Sequence, residues 1–328
     1  MPRIGMNPSR GKRMEHAPSR ITLAILTYLP VEIGYFEHRF NVTRLCLESL
    51  ISNTQTGNDL MVFDNGSCPR LTNYLKGLYE TGNLQYLFLS KKNIGKMAAL
   101  QIIFNSAPGE IVAYSDDDVF FLPGWLDSHM ELLENYPNVG LVTGFYIRSH
   151  LLYGTQSLDR FALRNDVDVE RGILVDELVE HHYVENMSRT WEQYQLEVEG
   201  LEDIRFTYKS IQALASSGHH QFVARKKIIQ EALPNNSNGM LMGSMIELEN
   251  RIDELGFLRL STNETSTCLL GNDIDINTVA DYKNFIPQTE VALPRNDKLE
   301  PRTLLTRNPI VIKLLQRLYN FLHRYLFS

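Results

Sequence analysis

Four short runs of aliphatic and β-branched residues, Ile21–Tyr28, Leu60–Phe63, Leu84–Leu89 and Glu110–Tyr114, alternate with helical apolar spacing at Asn41–Ile51, Arg70–Glu80 and Gly95–Asn105. The pattern continues through a helical stretch, Pro123–Asn135, to a further strand, Val139–Phe145. Runs this short and this apolar read as buried strands. Joined by helices through short connections, they give a mostly parallel sheet covered on both faces, with right-handed crossovers. Ligands of such sheets sit beyond the carboxyl ends of the strands. The polar residues fall there: Thr27 and Tyr28 end the first strand, Asp64 the second, and Asp116, Asp117 and Asp118 the fourth.

The 328 residues, 43% hydrophobic and 22% charged, suffice for one large α/β domain with an appendage. A net charge of −7 argues against a protein that coats nucleic acid. Cys46, Cys68 and Cys268 fit no zinc spacing and no disulfide framework. The expected organisation is a disordered basic leader over 1–20, a first half over 21–147, a second half over 148–300 with a helical insertion, and a basic amphipathic helix within 301–328. From Arg148 to Ser217 the chain is polar and helix-like, clearest over Glu185–Glu202. Regularity returns with a strand at His220–Ala224 and a helix at Met245–Leu255.

Asp116-Asp117-Asp118 is the sharpest chemical signal. Three adjacent carboxylates repel one another unless a cation offsets them, and their oxygens suit Mg²⁺ or Mn²⁺, ions that also bind phosphate. In an extended segment Asp116 and Asp118 share a face and Asp117 points elsewhere. The competing reading is a solvated turn or a helix cap, which needs one aspartate rather than three.

In the order Leu26-Thr27-Tyr28, Val62–Ser67, Asn93-Ile94-Gly95, Ser115–Val119 and Pro123–Leu126, the first half resembles a family 2 glycosyltransferase of the GT-A fold, over roughly residues 20 to 145. The resemblance implies transfer of a sugar from a nucleotide diphosphate, a UDP-sugar favoured, to an acceptor hydroxyl in one inverting displacement. It places Thr27 and Tyr28 in the nucleotide pocket, with Asp64 as acceptor for the base. Asn93 and Gly95 shape the loop beside the donor. Lys96 is a partner for the diphosphate or simply an exposed lysine. It puts Asp116 near ribose and metal, with Asp117 beside the donor, and Asp118 on the metal, Mn²⁺ or Mg²⁺. Trp125 walls the sugar pocket or is packing.

The second half departs from the pattern. The family commonly opens a helix with Gly-Glu-Asp, the aspartate being the base; here Ser244 and Met245 stand at the last two positions. Glu247 is then the nearest carboxylate and the candidate base, with Glu249 behind it; Glu202-Asp203 is a rival. The family often carries a late His before a Gly-Asn pair, and here Leu270 precedes Gly271-Asn272. The pairs His181-His182 and His219-His220 read as core or surface histidines, since neighbours in a strand face opposite ways.

Asn308-Pro309 marks a helix start, and Lys313, Arg317, His323 and Arg324 then gather on one face of a helix without acidic residues. Such a helix suits an anionic membrane surface, or docks on its own domain. The expected setting is cytoplasmic at the inner membrane face, with a glycan or lipid-linked acceptor. A non-catalytic sugar-nucleotide-binding protein is the alternative of another class. A nucleotidyltransferase would need a glycine-rich loop after the first strand, where Tyr28–Glu32 has no glycine.

Overall fold

The computed structural model describes residues 9–13, 17–187, 189–234, 240–242 and 245–272. The chain divides into a unit over Met1–Leu293 and a second over Pro294–Ser328. The second unit, and with it the helix expected within 308–328, lies outside the described residues, as does most of the leader.

In chain order the elements are β1 (Ile21–Thr27), α1 (Arg39–Asn53), β2 (Asp59–Asp64), α2 (Pro69–Glu80), β3 (Tyr86–Leu89), α3 (Lys96–Ser106), β4 (Ile111–Asp116), β5 (Val119–Phe121), α4 (Trp125–Asn135) and β6 (Val139–Thr143). They continue with α5 (Gln156–Ala162), β7 (Val167–Gly172), α6 (Glu177–Asn186), α7 (Trp191–Glu197), β8 (Asp203–Tyr208), β9 (Ile211–Ala215), β10 (Gln221–Arg225), α8 (Lys226–Ala232), α9 (Met245–Glu254), β11 (Leu258–Thr262) and β12 (Thr267–Leu269). Among the described residues a large sheet runs β3-β2-β1-β4-β10-β6-β11-β9-β8-β7, and β12 pairs with β5 in a separate two-stranded sheet. Strands β1, β2, β3, β4, β6, β8 and β11 point one way and β7, β9 and β10 the other, so the sheet is mostly parallel.

Side-chain alternation splits the core into two clusters, one on each face. Leu23 and Ile25 of β1, Leu60 and Val62 of β2 and Ile111 and Ala113 of β4 pack with α1, α2 and α4. Ala24, Leu26, Met61, Phe63, Val112 and Tyr114 pack with α3, α8 and α9. The doubly covered sheet expected from the apolar runs is thus present, and each central strand is apolar on both sides because helices cover both.

The polar middle differs from its expectation. It contributes strands β7, β8 and β9, paired antiparallel, which extend the sheet beyond β11. The run Glu185–Glu202 is not one helix: α6 ends at Asn186, and Thr190 opens the short α7, Trp191–Glu197, with a capping box to Gln193. A half-exposed antiparallel edge needs only every second residue apolar, and β7 is mostly exposed, so its sequence lacks the apolar run that marks β1 or β2. No described helix is long and apolar enough to cross a membrane.

Candidate active site

The three aspartates sit where β4 ends. Asp116 is the last residue of β4, and Asp117 and Asp118 form a turn into β5. Asp116 lies beside Leu26 in the register of β1 and β4, so it points to the face covered by α3. There Lys96, the first residue of α3, donates from Nζ to Asp116 Oδ2 at 2.7 Å, and the Tyr114 hydroxyl donates to Oδ1 at 2.6 Å. His220 Nδ1 stands 3.6 Å from the same Oδ2. Burial alone would raise the Asp116 pKa, but Lys96 and His220 outweigh it and hold the carboxyl well below the usual range.

Asp117 points to the opposite face, toward α1. Its carboxylate accepts from the Arg39 guanidinium and, at 2.9 Å, from the Thr43 hydroxyl. Arg39 also donates to Asp118 Oδ2 at 2.9 Å and to the Gly271 carbonyl at 3.2 Å. Burial would lower the Arg39 pKa, yet Asp117 and Asp118 raise it above its ordinary value. The turn breaks the alternation expected of an extended segment: Asp117 and Asp118 share one arginine, and Asp116 stands apart with a lysine.

Fitness for a cation can be judged from these partners. Arg39 and Lys96 supply two cationic side chains against three carboxylates. Asp118 Oδ1 is buried and has no hydrogen-bond partner among the described residues. An orphaned carboxylate oxygen is costly unless something binds it, and a hard divalent ion is the chemical fit. Among the described residues no group of three or more His, Cys, Asp or Glu is arranged to hold a metal. A cation here would therefore take few protein ligands and complete its shell with phosphate oxygens and water, as Mg²⁺ sites commonly do. The late segment reaches this point: Leu270 N–H donates to the Asp118 carbonyl at 2.7 Å, with Leu270 itself buried.

The nucleotide side is built by β1, β2 and the loop before α3. Asp64 is fully buried and accepts from the Thr27 hydroxyl at 3.0 Å and from Ser67 N–H at 3.1 Å, the latter closing the Asp-Asn-Gly turn. Asn65 donates to Asn93 Oδ1 at 3.0 Å, and Gly95 N–H donates to the same oxygen at 2.8 Å. Tyr28 is half-buried with its ring edge against Phe36. Lys96 is buried, not an exposed lysine, and its backbone N–H is capped by the Leu241 carbonyl at 2.6 Å. Trp125 is packing: it is 1% exposed, tilted against Phe121, and donates from Nε1 to Thr54 at 3.0 Å.

The second half supplies a buried network that sequence reasoning did not assemble. Glu247 lies exposed on the first turn of α9, and Ser244 lies outside the described residues. Glu249 is fully buried; its Oε2 meets the Arg259 guanidinium of β11 and stands 3.3 Å from His150 Nδ1. Its Oε1 lies 2.7 Å from His219 Nδ1. Burial would raise the Glu249 pKa, but His150, His219 and Arg259 hold it below the ordinary carboxylate range. Burial, with His220 alongside, pushes the His219 imidazole down to about 4 against the pull of Glu249, so it is neutral at neutral pH. The His219 and His220 rings lie 4.3 Å apart, both before β10 begins, and so do not splay to opposite faces as strand neighbours would. By contrast His181 stacks on Trp191 at 3.7 Å. Asp203 of the rival pair is fully buried, paired with Arg148 at 2.7 Å and accepting from Leu174 N–H at 2.8 Å, a structural role.

Residues 35–188 match the family model described as glycosyl transferase family 2. Among curated proteins none matches the chain in sequence. Solved structures show distant likeness. The mannosyltransferase PcManGT from Pyrobaculum calidifontis, in complex with GDP-Man and Mn²⁺, is 23% identical over 43% of this chain and 40% of its own, with a TM-score of 0.31. GalNAc-T7 with UDP, GalNAc and Mn²⁺ is 12% identical over 82% of this chain and 48% of its own, with a TM-score of 0.45. The glucosyl-3-phosphoglycerate synthase of Mycobacterium tuberculosis, with Mn²⁺, UDP and glucosyl-3-phosphoglycerate, is 12% identical over 84% and 77%, with a TM-score of 0.40. The chain thus spans less than half the length of the first two.

Proposed function

We propose, for a chain that belongs to glycosyl transferase family 2 through residues 35–188, that it moves a sugar from a nucleotide diphosphate to an acceptor hydroxyl in one inverting step. The observation that carries this reading is the carboxylate turn at the end of β4, offset by Arg39 and Lys96 and left with one orphaned oxygen, Asp118 Oδ1.

Asp118, with Asp116 alongside, would hold Mn²⁺ or Mg²⁺, which when bound offsets charge building on the leaving diphosphate. Asp117 anchors the turn to α1 through Arg39 and Thr43, keeping its neighbours at the donor. Lys96 lies at the N-terminus of α3 beside Asp116, where its charge and the helix dipole both favour a diphosphate. Thr27, Tyr28 and Asp64 line the pocket for the base. Asp64 would accept from a base N–H such as that of uracil through the lone pairs that Thr27 and Ser67 do not use, once the ligand uncovers it. Asn93 and Gly95 hold the loop between base and diphosphate. The acceptor, a glycan or lipid-linked hydroxyl, approaches from the side of α9, where Glu247 is the exposed carboxylate.

The test is donor hydrolysis or transfer over UDP-, GDP- and dTDP-sugars with Mn²⁺ or Mg²⁺, comparing wild type with Asp118→Ala. Turnover of one donor with metal, abolished in the variant, supports the transferase. Binding without turnover across a broad acceptor set would favour the non-catalytic sugar-nucleotide-binding reading, which Met245 in place of an aspartate keeps alive. Peripheral membrane contact through 308–328 belongs to the same proposal, carried by the single sign of its charges. Equal liposome sedimentation of full-length and tail-deleted protein would remove it.

A further inference from the structure

Glu249 is the carboxylate closest in role to the aspartate that Met245 replaces, one helical turn further along α9. It is fully buried, so it has no access to an acceptor. It does have access to an imidazole. One oxygen, Oε2, is committed to Arg259, itself fully buried and further held by the carbonyls of Ser217, His150 and Gly154 at 3.1–3.3 Å. That pair already balances charge. The other oxygen, Oε1, lies 2.7 Å from His219 Nδ1, and the Tyr153 hydroxyl also reaches this carboxylate.

We propose that His219 is the general base of the transfer and that buried Glu249 is its positioning residue. The assignment rests on the transferase reading above. With Nδ1–H donated to Glu249 Oε1, the tautomer is fixed and the Nε2 lone pair is left for a substrate proton. Among the described residues Nε2 has no partner, and the His219 side chain is 18% exposed, open to an acceptor. The ring is 4.3 Å from His220, whose Nδ1 stands 3.6 Å from Asp116, so the base faces the carboxylate turn from the second half of the chain. A carboxylate that orients an imidazole while the imidazole handles the proton is the division of labour of serine hydrolases. Here it moves the carboxylate one turn inward and interposes a histidine.

In the step, a lone pair of the acceptor oxygen forms the bond to the anomeric carbon as the bond from that carbon to the phosphate oxygen breaks. The leaving diphosphate keeps that electron pair. The acceptor proton passes to His219 Nε2, and the resulting imidazolium, facing the Glu249 carboxylate, later releases it to water. Glu247, exposed on the first turn of α9, is not the base in this assignment.

The experiment uses the full chain and hydrolysis of UDP-glucose, UDP-N-acetylglucosamine and GDP-mannose with Mn²⁺, in which water is the acceptor. Removing a general base costs about 10²–10⁴-fold. We expect His219→Ala to lose about that in kcat on the donor wild type uses, with donor KM and UDP affinity within about threefold, and added imidazole to restore part of the rate. Glu249→Gln should lower kcat in the same direction and abolish a low-field imidazole N–H resonance that wild type shows. His219→Gln, which leaves the Glu249–Arg259 pair whole, should be folded, inactive and without that resonance. A His219→Ala enzyme with kcat within threefold of wild type, one that loses UDP affinity in parallel, or an inactive Glu247→Gln enzyme would overturn the assignment. If wild type hydrolyses no donor, the transferase reading and this assignment fall together; if wild type and His219→Ala both turn over, only the assignment falls.

Discussion

Arg39, the first residue of α1, is buried against the carboxylate of Asp117, a pairing that ties the helix after β1 to the turn after β4. The same guanidinium holds Asp118, so one side chain sets the geometry of two of the three aspartates. Removing one partner of a buried pair leaves the other charge uncompensated, which costs about 3–5 kcal/mol. Arg39→Met should therefore destabilise the fold by about that amount in urea titration. Adding Asp117→Asn should recover part of the loss, because the orphaned charge is gone. A single-variant cost below about 1 kcal/mol would mean that the pair is not a structural tie.

Asp118 differs from Asp117 in having an oxygen to spare. Asp118→Asn removes the charge there while Arg39 keeps Asp117. Stability should change by less than about 1 kcal/mol, whereas kcat with Mn²⁺ should fall about 100-fold, equivalent to about 3 kcal/mol of transition-state stabilisation. Titration calorimetry of Mn²⁺ in the presence of UDP checks the cause directly. Unchanged Mn²⁺ affinity in the variant would remove Asp118 from the cation.

How much of this was legible in the sequence follows from what each residue answers to. Leu23, Ile25, Leu60 and Val62 answer to local apolar pattern, and the parallel core was readable from them. Asp64 and Asp116 answer to their position at strand ends, and they lie where the pattern placed them. Arg39 carries no local signal: its partners are Asp117 and Asp118, far along the chain, and pairing of that kind is a property of the closed sheet. Glu249, His219 and Arg259 are the same case, brought together from α9, the loop before β10 and β11. The edge strand β7 was missed because an exposed edge does not need an apolar run, and β8, which lies between β9 and β7, because its apolar residues Ile204, Phe206 and Tyr208 only alternate.

Glu249 sets an acid limit on the fold. Its carboxyl is held below its ordinary 4.5, burial being outweighed by His150, His219 and Arg259. The unfolded chain then binds the proton more readily than the folded one, so stability rises with pH through the ordinary carboxylate range and is lost as pH falls below it. Glu249→Gln has no such proton to bind. The variant should be less stable at neutral pH by about 3–5 kcal/mol, since Arg259 loses its buried partner. Its stability should also fall less steeply from about pH 5 to about pH 3. Urea titrations across that range give both quantities, and parallel slopes for the two proteins would refute the linkage.

Gly66 is the position where the nucleotide side leaves no room for a side chain. Its φ is +95°, a left-handed conformation that costs other residues about 1–2 kcal/mol. A Cβ built there would lie 2.9 Å from the backbone nitrogen of Asn93 and 2.9 Å from the carbonyl carbon of Lys92. Both obstacles are backbone, so relief requires the loop after β3 to move away from the loop after β2. That movement would stretch the Asn65–Asn93 hydrogen bond, 3.0 Å in the native fold, and carry Gly95 and Lys96 off their positions. Gly66→Ala should therefore cost more than about 2 kcal/mol in stability, strain and steric relief together. It should also raise the donor KM more than it lowers kcat, because the displaced loop is on the donor side and not at the proton transfer. A variant with native stability and unchanged donor KM would show that the two loops tolerate separation and that their contact does not shape the donor pocket.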